Sequence, residues 1–472
     1  MRQFRGDDTS PWVDRYGQGG AGDLTVSANA NYAGAVVGLS GILASFTPTC
    51  DAAAPANGTL VLIIQFRGTI PTNNYEFNKI ASGGGTTTPT LAYPLDNTYV
   101  NSGADKTQMI QLIEYDNVVI DATFTLSATT WDGSKYGVIP ILAKTSIDVN
   151  GTISAYKKGF VYGPGSTDAG DAGEGSAGQN VGNSSNANGS GGGGGDGGGA
   201  SGGSGGAGGG HSNTASNGGQ RGSVTPGHGG GTVGNVSLTN INPGGAGGSG
   251  GGDGSAAGGN GGNGGGIIML ISPSITVDDA TGSLIASGED GSGGGGGNTG
   301  CGGGGAGGSI LLKGNIIDIG TGQVTATGGA AAVSPGIGGS SGQDGRVHAD
   351  YGTSFVGTSN PTIDTRYDEY LSNVFAHEAV FNRTKYPVAI LEDQQESEFF
   401  NIKLHHSPSS VHSVLVSSSL EMPYNIYQYT SAVLQMLYSI VRVDARQTYT
   451  VGELEPTTWI EPTAADPSER DE

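Results

Sequence analysis

Carboxylates are the side chains in this sequence whose types and spacing could support catalysis. Glycoside hydrolysis needs two carboxyl groups that face one cleft. The candidates lie near predicted strand ends, and they are Asp148, Asp278, Asp279 and Asp318. Acidic residues at strand ends also cap turns, and this structural interpretation is favoured because no pair is visibly brought together.

One histidine cluster is present, formed by His405, His406 and His412 with Glu398. A metal site would need further partners, and the spacing is typical of alternating strand residues. No Ser/His/Asp grouping stands out either. The sequence therefore predicts a protein that is not an enzyme, with no catalytic residues and no bound metal.

Glycine-rich loops can bind calcium or phosphate, but the residues that follow the glycines in this sequence match neither kind of binding loop. Calcium-binding nonapeptide repeats follow the glycines and the aspartate with an apolar residue two places later. After Asp196 that position is Gly198, and after Asp253 it is Ser255. The Gly-x-Gly-x-x-Gly pattern recurs without a following helix, and Gly-Lys-Ser/Thr is absent, so no cofactor is expected.

The charge balance also excludes whole classes of partner. The chain has 472 residues, with 20 Lys and Arg against 42 Asp and Glu, a formal net charge of −22. Nucleic acid binding needs clustered basic residues, so it is not expected. No apolar run is long enough for membrane insertion. The polar beginning of the chain is unlike a signal peptide.

The chain has two cysteines, Cys50 and Cys301, which are far apart in the sequence. They imply no disulfide framework, and whether they pair with each other stays open.

A glycine-rich stretch from about Gly163 to Gly345 dominates the chain, which has 92 glycines. A flexible linker would be the ordinary interpretation. Strongly β-like blocks interrupt the stretch, however, and a linker has no need of buried strands. Polyglycine can instead order as packed polyproline-II-type helices with three residues per turn. We therefore expect ordered loops that are anchored by strands.

Three blocks share one form, and they span 137–156, 266–289 and 308–329. Each has an apolar strand, a bend, a short apolar-alternating strand, a glycine-containing turn and a last apolar-x-Ala strand, followed by a glycine run. Units of this kind must stack to bury an apolar face. The predicted fold class is all-β, with stacked β-helix-like or β-sandwich repeats, polyglycine-II-type loops and a separate C-terminal β domain.

The composition changes along the chain predict five regions. A polar lead is expected at 1–22 and an N-terminal β domain at 23–162. The Gly-rich repeat region at 163–352 contains the β blocks at 266–289 and 308–329. Aromatic residues return in a C-terminal β domain at 353–460, and an acidic tail closes the chain at 461–472.

Polar side chains inside the glycine region are candidates for recognition. A rigid glycine frame that displays them at its loop tips suits binding of a glycan or a protein epitope. Solvated loop residues would have the same composition. The candidate receptor-binding residues are Asn186, His211, Asn213, Thr214, Asn217, Gln220, Arg221, Thr225 and His228.

Three segments carry a resemblance to a known family. Gly20–Val26 (GAGDLTV), the stretch 115–159 with NVVI, SIDVNGTISA and KKG, and Gly345–Gly352 (GRVHADYG) surround the glycine runs. Together these resemble Gly-rich tail-fibre and tail-tip adhesins of tailed bacteriophages, over roughly 17–355. A full β domain after the glycine region departs from that pattern.

The resemblance implies a non-enzymatic virion protein, assembled in the host cytoplasm, that recognises a host cell-surface receptor through Gly-region loops. Its implied partners are other virion tail or capsid proteins, that receptor, and further copies of itself in a homo-oligomer or multi-copy assembly. A purely structural virion component, such as a fibre shaft or capsid decoration, is the alternative. A cellular surface adhesin and a polysaccharide-degrading tailspike are weaker alternatives.

Overall fold

A computed structural model describes Tyr16 and Leu371 and the ranges 19–68, 75–178, 184–199, 202–333 and 336–368, with Gly182. The chain divides into the units Met1–Asn373 and Val374–Glu472, and every described residue belongs to the first. The histidine cluster, the acidic tail and all but the first residues of the predicted C-terminal β domain lie outside the described residues. The five predicted regions stay predictions.

The described part of the chain is built from β-strands, without an α-helix. Six strands form an antiparallel sheet in the order β4-β3-β8-β5-β6-β7. Their bounds are β3 (Val36–Ser40), β4 (Thr49–Cys50), β5 (Leu60–Arg67), β6 (Tyr75–Ser82), β7 (Thr90–Leu91) and β8 (Lys106–Gln111). All eight residues of β5 are buried, because Val61 and Ile63 face one apolar cluster while Leu62 and Ile64 face another.

The other twelve strands form a second sheet in which every pair is parallel. We call this sheet the parallel stack. Its strands are β1 (Leu24–Val26), β2 (Ala30–Asn31), β9 (Glu114–Ile120), β10 (Thr125–Ser127), β11 (Val138–Val149), β12 (Thr152–Ser154), β13 (Ile267–Ile271), β14 (Ser274–Val277), β15 (Ser283–Ile285), β16 (Ser309–Thr325), β17 (Arg346–Asn360) and β18 (Asp364–Tyr367).

The register of the parallel stack confirms that the three sequence blocks align strand for strand. Ile147 pairs with Ile275, and Ile275 pairs with Ile317. At the ends of the blocks, Ile153 pairs with Leu284, and Leu284 pairs with Val324. Two details differ from the sequence interpretation. The first two strands of the first block form one strand, β11, and the third block is a single strand, β16, with register shifts in place of breaks.

The opening strand of each block is largely apolar because both of its faces are covered. In β11, Ile139 and Ile141 point into the interior of the parallel stack, whereas Val138 and Leu142 pack in the cluster shared with the antiparallel sheet. Strands buried on both faces read as continuous apolar runs rather than alternating ones. The stack is therefore fixed to the antiparallel sheet along this wall, and the glycine segments leave it at the ends of β12, β15 and β16.

Candidate functional site

The glycine segments hydrogen-bond to one another at intervals of three residues. We call the described residues of 163–266, 286–308 and 326–345 the glycine region. The segments 244–250 and 259–265 run antiparallel, with N–H to carbonyl distances of 2.8 Å at Gly244–Gly265, Gly247–Gly262 and Gly250–Gly259. A three-residue step on both sides means that one residue in three faces a given neighbour.

Consecutive residues of one segment donate in different directions. The N–H groups of Gly247, Gly248 and Ser249 donate to three separate segments, at the carbonyls of Gly262 (2.8 Å), Ala207 (2.9 Å) and Asp171 (3.0 Å). A backbone without internal hydrogen bonds must satisfy its polar groups in this way when it is buried. The interior of the glycine region is therefore held by backbone hydrogen bonds rather than by apolar side chains.

Glycine is required in the interior because the backbones approach too closely for a Cβ atom. A Cβ at Gly303 would overlap the carbonyl group of Ala207, and one at Gly248 would overlap that of Gly193. Small side chains occur at the positions that leave room for them. The fully buried examples are Ser190, Ser204, Ala207, Ala246, Ser249, Cys301 and Ala306. Cys50 and Cys301 are both buried, and they form no disulfide.

An ion pair anchors the glycine region to the antiparallel sheet. Arg67 at the end of β5 pairs with Glu174, and both side chains are buried. The Glu174 carboxylate also accepts hydrogen bonds from Trp131 Nε1 (2.9 Å) and from the Val161 N–H (3.1 Å). Burial raises the pKa of Glu174 although Arg67 opposes this rise. The carboxylate thus ties the first glycine segment to β5, through Arg67, and to Trp131.

The far ends of the segments meet in one surface. Segment 244–252 begins beside the start of β13, where the Gly244 N–H donates to Gly265, and runs away from it for nine residues. We call the loops at this end the tip: residues 166–169, 219–225, 253–257, 295–299 and 336–338. Backbone hydrogen bonds link them, from Gly254 to Thr167 (2.8 Å), Gly295 to Ala257 (2.9 Å) and Ile337 to Thr299 (2.9 Å).

Three of the predicted receptor-binding residues lie at the tip. Gln220 and Thr225 are exposed, and Arg221 is half-buried. The Arg221 guanidinium donates to Asn298 Oδ1 (2.7 Å), which fixes loop 219–225 against loop 295–299. These side chains are therefore presented by loops whose backbones are already restrained.

Three other predicted residues lie along the side of the glycine region. Asn186, Asn217 and His228 are exposed. The His228 N–H donates to the carbonyl of Ser185 (2.8 Å), next to Asn186 in the chain. Asn217 Oδ1 accepts from the N–H of Gly229 (2.9 Å). This group is separate from the tip.

The remaining predicted residues lie near the base, where the glycine region rejoins the parallel stack. Asn213 and Thr214 are exposed there. The expectation that His211 is displayed is wrong. His211 is fully buried, with Nε2 3.1 Å from the carbonyl of Asn242 and 3.2 Å from Ser309 Oγ. Burial, with Arg346 nearby, lowers the pKa of His211 to about 3, so the ring is neutral.

Sequence reasoning missed several residues that the tip exposes. Asp253, which is half-buried and was considered above only for calcium, caps its loop by accepting from the N–H groups of Ser255 (3.0 Å) and Ala256 (2.7 Å), and these hydrogen bonds lower its pKa. Val333, beside the tip, is 75% exposed. The signal that could have identified them is the short break of non-glycine residues within each glycine run. The exposed residues missed in these breaks are Thr167, Asp168, Ser223, Ser255 and Asn298.

The carboxylates considered for catalysis occupy turns and strand surfaces. Asp278 Oδ1 accepts from the N–H groups of Ala280 (3.0 Å) and Thr281 (2.9 Å), and Asp279 Oδ1 accepts from Thr321 (2.8 Å). Asp318 accepts from Gly320 (3.1 Å). Asp148 accepts from Ser146 Oγ (3.0 Å) on its own strand.

Two negative findings apply to the described ranges. Within them, no group of three or more His, Cys, Asp or Glu side chains is arranged to hold a metal ion. Likewise, none of the described residues form a helix of the length and apolarity that a bilayer crossing requires. The chain matches no protein-family model, no curated protein and no solved structure.

Proposed function

We propose that this chain is a non-enzymatic virion tail-fibre or tail-tip protein that recognises a host cell-surface receptor through the loops of the tip. Its scaffold is a β-helix-like column, the parallel stack, from which an ordered array of polyglycine-II-type helices projects. The observation that carries the proposal is the tip itself. Five loops from distant parts of the sequence meet there, and they present polar side chains on backbones that are already hydrogen-bonded.

The physical advantage of such a surface is preorganisation. A loop that is fixed before binding loses little conformational entropy when a receptor is bound. Several copies in one virion would add avidity, which compensates for weak single contacts. The array would assemble in the host cytoplasm and associate with other tail or capsid proteins.

Immunogold electron microscopy of intact particles tests the proposal. The antibody is raised against a constrained peptide of 219–225, and a second antibody against the turn 278–282 on the parallel stack serves as control. Gold at a fibre or tail tip, with blocking of adsorption by the first antibody only, is the expected result. Gold along a shaft or on the capsid without blocking would support the purely structural alternative, and gold on cells but never on particles would overturn both.

A further inference from the structure

A tight turn in the glycine region leaves one backbone N–H unpaired. Asn188 and Gly191 exchange two hydrogen bonds, from the Asn188 N–H to Gly191 O (2.9 Å) and from the Gly191 N–H to Asn188 O (3.0 Å). Gly189 and Ser190 form the turn between them, and Gly189 is exposed with a φ of +62°. The Ser190 N–H donates to Ser176 Oγ (3.3 Å), whereas the Gly189 N–H donates to no group in the part of the chain that the structure describes.

Gly189 differs in this respect from the glycine of every other Asn-Gly pair. The sequence contains six such pairs, and all of them lie within the described ranges. In the other five pairs the glycine N–H donates to a backbone carbonyl. These donors and acceptors are Gly58 and Ile80 (2.7 Å), Gly151 and Ile120 (2.9 Å), Gly218 and Gly227 (2.9 Å), Gly261 and Gly163 (3.1 Å), and Gly264 and Phe160 (2.9 Å).

The glycine nitrogen of an Asn-Gly pair can attack the asparagine side chain. After hydroxide removes its proton, the nitrogen forms a bond to the side-chain carbonyl carbon Cγ, because the two atoms close a five-membered ring and glycine has no Cβ atom to obstruct the approach. The Cγ–Nδ2 bond then breaks, ammonia leaves, and water opens the resulting succinimide to aspartate or isoaspartate. A nitrogen whose N–H is hydrogen-bonded reacts only after local opening, so its rate falls with the fraction that is open.

We propose that Asn188 is a self-modification site, which converts to aspartate or isoaspartate in the folded protein while the asparagines of the other five pairs are protected. The reaction needs only hydroxide and water, and both reach Gly189 because it is exposed. In four of the protected pairs the glycine is also buried, and these glycines are Gly151, Gly218, Gly261 and Gly264. Gly58 is exposed, so its hydrogen bond alone protects Asn57.

The modification would release a fastening within the first glycine segment. Asn188 donates from Nδ2 to the carbonyls of Gly178 (2.9 Å) and Gly173 (3.4 Å). A carboxylate has no N–H to donate, and its negative charge would face those carbonyl oxygens. Glu174, which pairs with Arg67, directly follows Gly173 in the chain. Loosening of 173–178 would therefore begin beside the ion pair that anchors the glycine region.

Peptide mapping of the whole protein by mass spectrometry, with detection of isoaspartate, tests the proposal after incubation at mildly alkaline pH. Asn188 should be converted about tenfold or more faster than any of the other five asparagines, because its reaction needs no prior opening of a hydrogen bond. The same incubation in urea is the control, and there the six rates should approach one another. Native rates that are alike, or a fast rate at Asn188 that persists relative to the others in urea, would overturn the proposal.

The consequence of the modification is measured separately, by hydrogen–deuterium exchange of Asn188→Asp. Peptides covering 170–178 should exchange about fivefold or more faster than in the wild type, since the donor to Gly178 is lost. The matched control is Asn57→Asp, which adds the same charge where Asn57 Oδ1 only accepts, from the Gly84 N–H (2.7 Å), and a carboxylate still accepts. An exchange rate of 170–178 that stays at the wild-type value in Asn188→Asp would disprove the loosening.

Discussion

The Arg67 guanidinium and the Glu174 carboxylate form a buried ion pair that joins β5 to the first glycine segment. Residues 107 positions apart in the chain thus fix the glycine region against the antiparallel sheet. Removing one partner of a buried pair leaves an uncompensated charge in the interior, which is costly.

We expect Glu174→Gln to lower the free energy of unfolding by about 3–5 kcal/mol, because Arg67 is then buried without a counter-charge. Adding Arg67→Met should recover part of that loss, since the introduced glutamine side chain would still accept from Trp131. Urea denaturation measures both changes. The control is Lys157→Gln at the Lys157–Glu289 pair, where the lysine side chain is about half exposed, and it should cost less than about 1 kcal/mol. A double variant no more stable than Glu174→Gln would contradict this account of the pair.

Two glycines with different surroundings test the close packing of the glycine region. A Cβ at Gly303 overlaps the backbone of Ala207, whereas one at Gly297 meets nothing within 4 Å. Gly303→Ala should destabilise the protein by roughly 3 kcal/mol or more, since backbone cannot move aside cheaply. Gly297→Ala should be neutral or slightly stabilising. Thermal unfolding followed by circular dichroism distinguishes them, and equal melting temperatures would refute the packing argument.

The raised pKa of Glu76 predicts a specific pH dependence of the free energy of unfolding. Burial raises the pKa of Glu76 to about 7, although hydrogen bonds from the Asp96 N–H and from Tyr99 act in the opposite direction. A carboxyl whose pKa is higher when folded binds more protons in the folded state, so its contribution is complete below about pH 4.5 and is lost as the pH rises through about 7. The difference is roughly 3 kcal/mol.

The comparison for Glu76 is between the wild type and Glu76→Gln, measured by urea denaturation from about pH 4.5 to about pH 8. The variant should show a flatter stability profile, because Gln cannot ionise. Other titrating groups contribute equally to both proteins and cancel in the difference. Parallel profiles would show that Glu76 does not titrate in this window.

Matched threonines at opposite ends of the glycine region test the proposed receptor-binding surface. Thr225 is exposed at the tip and Thr214 is exposed near the base. Thr225→Arg places a long charged side chain in the proposed contact area and should reduce binding of purified protein to host cells about tenfold or more. Thr214→Arg should leave binding unchanged. Equal effects of the two changes would argue against a binding surface at the tip.

Much of the parallel stack could be predicted from the sequence. Ile147, Ile275 and Ile317 occupy equivalent places in blocks of similar form, so their stacking follows from the repeat. The glycine region is different, because glycines carry no pattern that identifies a neighbour. Nothing in the sequence indicates that Arg221 contacts Asn298, 77 residues away. The ladder spacing could be expected, but not which segments pair.

His211 shows why polar composition alone was misleading for the candidate site. Its neighbours in the chain are glycines and serines, which suggested a displayed side chain. Its ring instead contacts Asn242 and Ser309, which are 31 and 98 residues away. A polar side chain can be buried wherever folding supplies a partner, and that partner cannot be seen locally.

The position of segment 244–252 in the chain determines when the glycine region can fold during synthesis. Segment 244–252 bonds to Asp171, made earlier, and receives hydrogen bonds from Gly300, Gly303 and Ala306, made later. At ribosomal rates of about 5–20 residues per second, these partners emerge seconds apart. The nascent chain therefore carries polyglycine without its later partners until residue 306 has left the ribosome, and such long-range closure makes folding slow.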